Sequence, residues 1–335
     1  MRDIYKRLRP LGFTAGFIKG AVLPDWWDDE LAAVPANRAI AESAIARQLG
    51  IEIAQLRDPE RPLSLPDAAG LRFKHHPSTR DDDLTAAATI ARRVARVIAL
   101  NHDGLPAFAG KVPAADLRRD ILARDRTVTL QGLLRWCWEH GIIVADIDPG
   151  ALPGRRGFDG LASFIEQRPA IILASRRDGP PWLAFHLAHE LGHIMCGHVH
   201  SKAPVLVDAA IDAVDASDEE RQADVYGLSL LTGETAPEFP LPRPLTAARL
   251  SELGQRLGPQ RGIDPGAMAL LCGRAAQRWA AAQGALKLLG CDRGGHSQIA
   301  SALNAHVTIQ TACESTRRLL AHLLPHAFAA EEAPT

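Results

Sequence analysis

The stretch Trp182–His198, WLAFHLAHELGHIMCGH, places His189, Glu190 and His193 in an H-E-x-x-H pattern. On an α-helix, positions four apart share a face, so both imidazoles can reach one metal ion with Glu190 beside them. Phe185, Leu187, Ala188, Leu191, Ile194 and Met195 make the surrounding helix apolar enough to bury, and Gly197 suits its end. The pattern points to a zinc-dependent peptidase. In a chain with 13 His the bare pentapeptide also arises by chance, so its meaning depends on a third ligand.

Two imidazoles leave a tetrahedral zinc with two positions, and a hydrolase fills one with protein and leaves the other for water. The metzincin continuation needs Gly at 196 and His at 199, where this chain has Cys196 and Val199; Gly197, His198 and His200 are out of register. A Glu from a second helix fits better. Ser217–Leu231, SDEERQADVYGLSLL, sets Glu220 and Asp224 one turn apart, on a face with Ala223, Gly227, Leu228 and Leu231. Glu220 is the expected ligand, and Asp224 the expected acceptor for a His189 N–H. Two alternatives stand beside this: Glu219 as ligand, although Ala223 rather than a carboxylate follows it by four, and Glu220 as half of a Ser217-x-x-Glu220 capping box.

With these residues on the page, the chain resembles the ImmA/IrrE-like metallopeptidases. That family carries an apolar strand, a helix reading F-x-x-A-H-E-x-x-H and a second helix with E-x-x-A-[ND]. Phe185, Ala188, His189, Glu190 and His193 match the first helix, and Glu220, Ala223 and Asp224 the second. The likeness covers roughly Thr127 to Gly233. It implies one zinc ion per chain and a substrate that is a helix-turn-helix repressor, cleaved to switch on prophage, stress-response or antiviral defence genes. In some members a DNA-damage signal such as single-stranded DNA stimulates cleavage. The first 75 or so residues and the last hundred lie outside the resemblance.

In this reading Glu190 is the general base, and His189, His193 and Glu220 hold the metal. His198, His200 and Tyr226 are candidates for a second oxyanion donor, against ordinary packing or surface roles. Cys196, three residues after His193 and seven after His189, is a candidate thiolate lock on the open zinc position, against a small buried residue closing the helix.

The composition agrees with a soluble enzyme. Lys and Arg number 38 against 39 Asp and Glu, a net charge of -1, which leaves no overall footprint for a polyanion. Five Cys without C-x-x-C spacing read as reduced thiols in a cytoplasm. The N-terminal apolar run is interrupted by Lys19 and lacks an A-x-A site, and no run reaches membrane-span length, so no membrane association is expected.

The expected fold is α+β and mainly helical: a zincin-like core of small sheet and H-E-x-x-H helix, flanked by helical regions. Residues 1–75 form an N-terminal helical module, 76–236 the metallopeptidase domain with leading helices, and 237–335 a C-terminal helical region for regulation or dimerisation. Residues 1–25 are poorly periodic. Pro35–Leu49 and Ile51–Leu56 are predicted helices, and SAIARQLGIEIAQL resembles the first part of a repressor helix-turn-helix. Its second helix offers only Gln55 for base reading. The alternative function is therefore a non-catalytic, zinc-containing regulator that binds DNA or protein through these helices.

Pro62–Pro77 reads as a loop with a basic cluster of Arg72, Lys74, His75 and His76. Thr85–Leu100, Ala114–Asp125 and Leu130–His140 are predicted helices; Ile142–Ile147, Phe158–Glu166 and Ala170–Ser175 are predicted strands. A sheet edge at Phe158–Glu166 is expected to hold extended substrate by main-chain pairing. Glu238–Pro244 is a proline-rich linker, Ala267–Leu289 one long helix anchored by Trp279, and Ile299–Leu324 mostly helical.

Overall fold

Strand-forming runs are short in this chain, and the sheet they build positions everything else. The computed structural model describes residues 1–65, 71–74, 81–154, 158–201, 204–208, 217–310 and 312–328, with only the backbone of 71–74, 81–83 and 208. Among these residues, β1 (Leu71–Lys74), β2 (Ile143–Asp146), β3 (Gly160–Ile165), β4 (Arg168–Leu173) and β5 (Val205–Asp208) form a sheet of order β1-β5-β3-β4-β2. β3 runs antiparallel to β4 and β5, whereas β1 is parallel to β5 and β2 parallel to β4. Glu166 and Gln167, at φ 49 and 64, make the tight β3–β4 turn, whose backbone twist matches that of the strands it joins.

Because side chains alternate along a strand, the sheet feeds two cores. Ile143, Ala145, Leu161, Ile165, Ile172, Val205 and Val207 lie in one. Val144, Ala162, Ile171, Leu173 and Leu206 lie in the other. The first face is covered by α5 (Asp81–Leu100), whose Ala86, Ala87, Ala91 and Ala95 are fully buried, together with Ile90, Val94 and Ile98. The same core takes Ile4 and Leu8 from α1 (Arg2–Leu8), Ile45 from α3 (Pro35–Leu49) and Leu319, Leu320 and Leu323 from α14 (Glu314–Leu323). Each such Leu or Ile contributes about 1.5–3 kcal/mol by leaving water, so the two ends of the chain are held on the sheet by a shared core.

The second face is covered by α7 (Leu130–Glu139) and α8 (Pro180–Cys196), with α6 (Ala114–Leu122) and α9 (Asp218–Thr232) outside them. α10 (Ala247–Leu257), α11 (Pro265–Ala275) and α12 (Trp279–Leu289) have a small core of their own around Leu250, Met268, Cys272 and Ala285. They meet α8 where Trp182 packs with Leu270, Ala282 and Leu286, and the expected anchor Trp279 stacks on Trp182 at 5.3 Å. α13 (Gly295–Asn304) is tied to the end of β2 by a His296 Nδ1–Asp146 Oδ2 contact of 2.5 Å.

The chain is thus mixed α/β, mostly helical, with a small sheet, as its patterning predicts. Four local expectations are corrected. Residues 1–25, poorly periodic in sequence, are ordered into α1, a 3-10 turn at Arg9–Leu11, α2 (Ala15–Phe17) and a wide π-helical turn at Ile18–Val22, and they bury Phe13, Ile18 and Leu23. The stretch Pro62–Pro77, read as a loop, contains β1, LRFK, whose two basic residues interrupt any apolar run. Of the basic cluster, Arg72 and Lys74 lie in β1, and His75 and His76 fall outside the described residues. The helix expected over Ala267–Leu289 is broken between α11 and α12, where Gln277 adopts φ 53. Finally, β3 is interior: β4 and β5 satisfy both of its sides, so it offers no edge to a substrate.

Among the described residues no helix is long and apolar enough to cross a membrane. All five cysteines are free. Burial raises the thiols of Cys137 and Cys272, the latter to about 12. At the N-cap of α14, burial also pushes Cys313 up, but hydrogen bonds from Ser315, Thr316 and Arg47 outweigh it and leave the thiol at about 6. Iodoacetamide should therefore label Cys313 first, with a rate that rises through about pH 6 as the thiolate forms, while Cys137 and Cys272 stay unlabelled in the folded protein. Peptide mapping after a pH series checks this; equal labelling of Cys137 would contradict it.

Candidate metal centre

α8 starts at Pro180 and Pro181, whose missing N–H groups cost nothing in a first turn, and stops at Gly197, which at φ 86 takes the left-handed conformation a side chain would resist. Between them the helix is buried almost throughout; His189 is 2% exposed and His193 and Glu190 are 0% exposed. Polar groups hidden to this degree need partners built around them.

α9 supplies several. It crosses α8 closely because Gly192 lacks a side chain: a Cβ there would lie 2.7 Å from the Ala223 carbonyl oxygen. Gly227 does the reciprocal service, its Cα facing the backbone of Ala188 and His189. This crossing delivers Glu220 and Asp224 to the two histidines. Ser217 caps α9 by accepting from the Glu220 N–H at 3.3 Å, but the Glu220 side chain does not complete the capping box. Its carboxylate faces the imidazoles instead, with Oε2 3.1 Å from His189 Nε2 and Oε1 3.4 Å from His193 Nε2. The two Nε2 atoms are 3.0 Å apart.

The outer partners assign the tautomers. Asp224 Oδ1 lies 2.9 Å from His189 Nδ1 and, as a carboxylate, only accepts, so Nδ1 carries the proton and Nε2 the lone pair. On the other ring, His193 Nδ1 meets His198 Nδ1 at 2.9 Å, and His198 Nε2 meets Gln222 Oε1 at 2.9 Å. With the Gln222 oxygen accepting from His198 Nε2–H, His198 Nδ1 accepts from His193 Nδ1–H, and the His193 Nε2 lone pair also points inward. Two lone pairs and a carboxylate then converge on one point, a donor arrangement that suits a metal cation. A tetrahedral ion with bonds of about 2.0–2.1 Å spaces its donors roughly 3.3–3.4 Å apart, close to the observed triangle. His189, His193 and Glu220 could hold a metal ion.

Glu219 is not in this group; of the two adjacent glutamates, Glu220 is the one placed beside both imidazoles. Nor do Cys196, His198, His200 or Tyr226 supply an atom to it. The Tyr226 hydroxyl donates to the Val112 carbonyl at 2.7 Å, Cys196 lies beside the Gln222 carbonyl and Lys111, His200 is exposed beyond the helix, and His198 stands behind His193. One turn before His189, burial, with smaller contributions from His189 and Arg177, pushes His186 down to about 3, so it adds no charge near the site at neutral pH.

Residues that sequence reasoning did not single out complete the surroundings. Gly160 opens β3 against Glu190: a Cβ there would lie 2.1 Å from Glu190 Oε1, so the carboxylate occupies the space of the missing side chain. A glycine within a strand signals such close approach. Gln222 closes the His198 chain, and Arg274 of α11 reaches Asp224 Oδ2 at 3.2 Å.

In the stretch that resembles a helix-turn-helix, the second helix is short and its polar side chains are paired within the module. α4 (Ile53–Arg57) is five residues long; Arg57 is paired with Glu42, Gln55 bonds Ser64, and Arg61 pairs with Glu52. No family model, curated protein or solved structure matches the chain.

Proposed function

We propose that the chain is a zinc-dependent endopeptidase of the ImmA/IrrE-like type, with a zincin-like core, acting on a helix-turn-helix repressor. The observation that carries the hydrolase reading is the convergence of His189 Nε2, His193 Nε2 and the Glu220 carboxylate beside the buried Glu190. Two imidazoles and one carboxylate are a zinc donor set, and three protein donors leave a position for reaction. A purely structural zinc would need a fourth protein donor; Cys196 and His198, near in sequence, do not join the group, which favours the enzyme over the non-catalytic regulator.

The chemistry that zinc supplies when bound is polarisation of the scissile carbonyl and acidification of the attacking water. Glu190 takes the proton from that water as its oxygen attacks the carbonyl carbon. As the C–N bond breaks, the same carboxyl returns the proton to the leaving amine. Asp224 and the His198–Gln222 pair hold the two imidazoles in the tautomer that faces inward.

Gly160→Ala is expected to push Glu190 out of its seat while leaving the three ligands in place. Zinc content should stay at one per chain and turnover should fall on the order of a hundredfold, the effect of a misplacement of about 1 Å in a reacting group. Metal analysis beside steady-state kinetics checks it; full activity would remove Gly160 from the account.

Repressor cleavage that turns on stress, prophage or defence genes rests on the Phe185-to-Asp224 motif resemblance, as does a DNA-damage trigger, whereas cytoplasmic action rests on the unpatterned cysteines. The test is a gel assay of the zinc-loaded protein with the repressor-like protein encoded nearest its gene, with and without single-stranded DNA, and with Glu190→Gln as control. Cleavage by the wild type alone supports the reading. Intact repressor in every lane, with zinc bound, would favour another substrate or the non-catalytic regulator.

A further inference from the structure

Arg274 belongs to α11, in the C-terminal layer that carries no motif of its own. Its guanidinium donates to Asp224 Oδ2 at 3.2 Å, while the other oxygen of the same carboxylate accepts from His189 Nδ1 at 2.9 Å. It also lies over the ring of Phe185 at 4.9 Å, one turn before His189 on α8. Arg274 and Asp224 are 24% and 27% exposed, so the contact is partly shielded from water. We infer that Arg274 is a positioning residue for the metal centre, through which the α10–α12 layer sets the orientation of His189. The inference rests on the metal-binding reading of His189, His193 and Glu220.

The physical reason lies in the geometry of one carboxylate. Asp224 sits near the surface on a helix, where a lone side chain would rotate toward solvent. A charge-assisted bond on Oδ2 fixes the plane that aims Oδ1 at His189. The Phe185 ring in turn limits where the guanidinium can stand. An acceptor held on the distal imidazole N–H fixes the ligand's tautomer and raises its basicity. α11 is seated firmly enough to act this way: at Gly266 an added Cβ would lie 2.5 Å from Pro181 Cγ, and Leu270 packs with Trp182. A shift of α11 against α8 therefore reaches His189 through Arg274.

The test is a competition titration of Zn2+ against a chromophoric chelator for wild type, Arg274→Ala, Arg274→Lys, Asp224→Asn and the double variant Arg274→Ala/Asp224→Asn. Arg274→Ala should weaken zinc binding about tenfold, the lower end of what an outer partner contributes, and Arg274→Lys should recover part of it. The double variant should bind no more weakly than Asp224→Asn alone, because both changes break one relay. In the Co2+-loaded protein, Arg274→Ala should also shift the visible absorption bands. Should Arg274→Ala fail to fold, the Lys variant and its cycle with Asp224→Asn carry the test. Wild-type zinc affinity in Arg274→Ala, or additive losses in the double variant, would overturn the inference and leave the metal site standing. A wild-type chain that binds no zinc would overturn both.

Discussion

Glu190→Gln is expected to lower repressor cleavage by about a thousandfold or more while the chain still carries one zinc, since general-base catalysis contributes typically 10²–10⁴-fold. The separation of the two outcomes follows from position. Glu190 is next to His189 in the chain but is not among the three groups that could hold a metal ion. Its carboxylate lies against Gly160, and an amide of the same shape fills the same space. What the amide lacks is the ability to take a proton from water. Cleavage measured by gel densitometry, beside metal analysis of the same preparation, reads both quantities. A variant with more than about a tenth of wild-type turnover would show that another group is the base, and loss of zinc would make Glu190 a ligand.

The second large effect is expected at Glu220. Glu220→Ala removes one of three donors, so zinc affinity should fall by more than the roughly 10–100-fold that loss of an outer partner costs, and cleavage should vanish with it. The fold should survive, because the cap of α9 uses the backbone N–H of residue 220 and the Ser217 hydroxyl rather than the glutamate side chain. Glu219→Ala is the matched control, one residue away and outside the converging group. Chelator competition and circular dichroism together decide. Equal zinc affinity in Glu220→Ala and wild type would return the ligand to another residue.

The metal centre was legible because helical periodicity makes i, i+4 pairs local. His189 and His193 on one helix and Glu220 and Asp224 on another can be aligned by counting, and the structure brings all four together. What counting cannot supply is which distant element lies against them. Gly160 seats Glu190 from a strand, and Arg274 reaches Asp224 from a helix beyond a proline-rich linker; neither residue carries a local pattern that announces it. The sequence offers His198 as a candidate oxyanion donor or a packing residue, and the left-handed turn at Gly197 brings it behind His193.

The helices are equally legible where an amphipathic or capped pattern runs for about three turns or more, as in Pro35–Leu49 or Leu130–Glu139. The four-residue β5, VLVD, lacks the longer apolar run that marks β2 in the sequence, and its presence decides that β3 is an interior strand. The break at Gln277 is a positive-φ residue without glycine, held by backbone hydrogen bonds that close α11, from the Gln277 N–H to the Arg274 carbonyl and from the Arg278 N–H to the Gly273 carbonyl.

Zinc K-edge absorption spectroscopy on the purified, zinc-reconstituted chain, with metal content measured on the same sample, tests the central claim most directly. The account predicts one zinc per chain with nitrogen and oxygen neighbours at about 2.0–2.2 Å, two of them imidazole, and no sulfur. A chain that retains no zinc at neutral pH, a sulfur neighbour at about 2.3 Å from Cys196, or a third imidazole from His198 would contradict it.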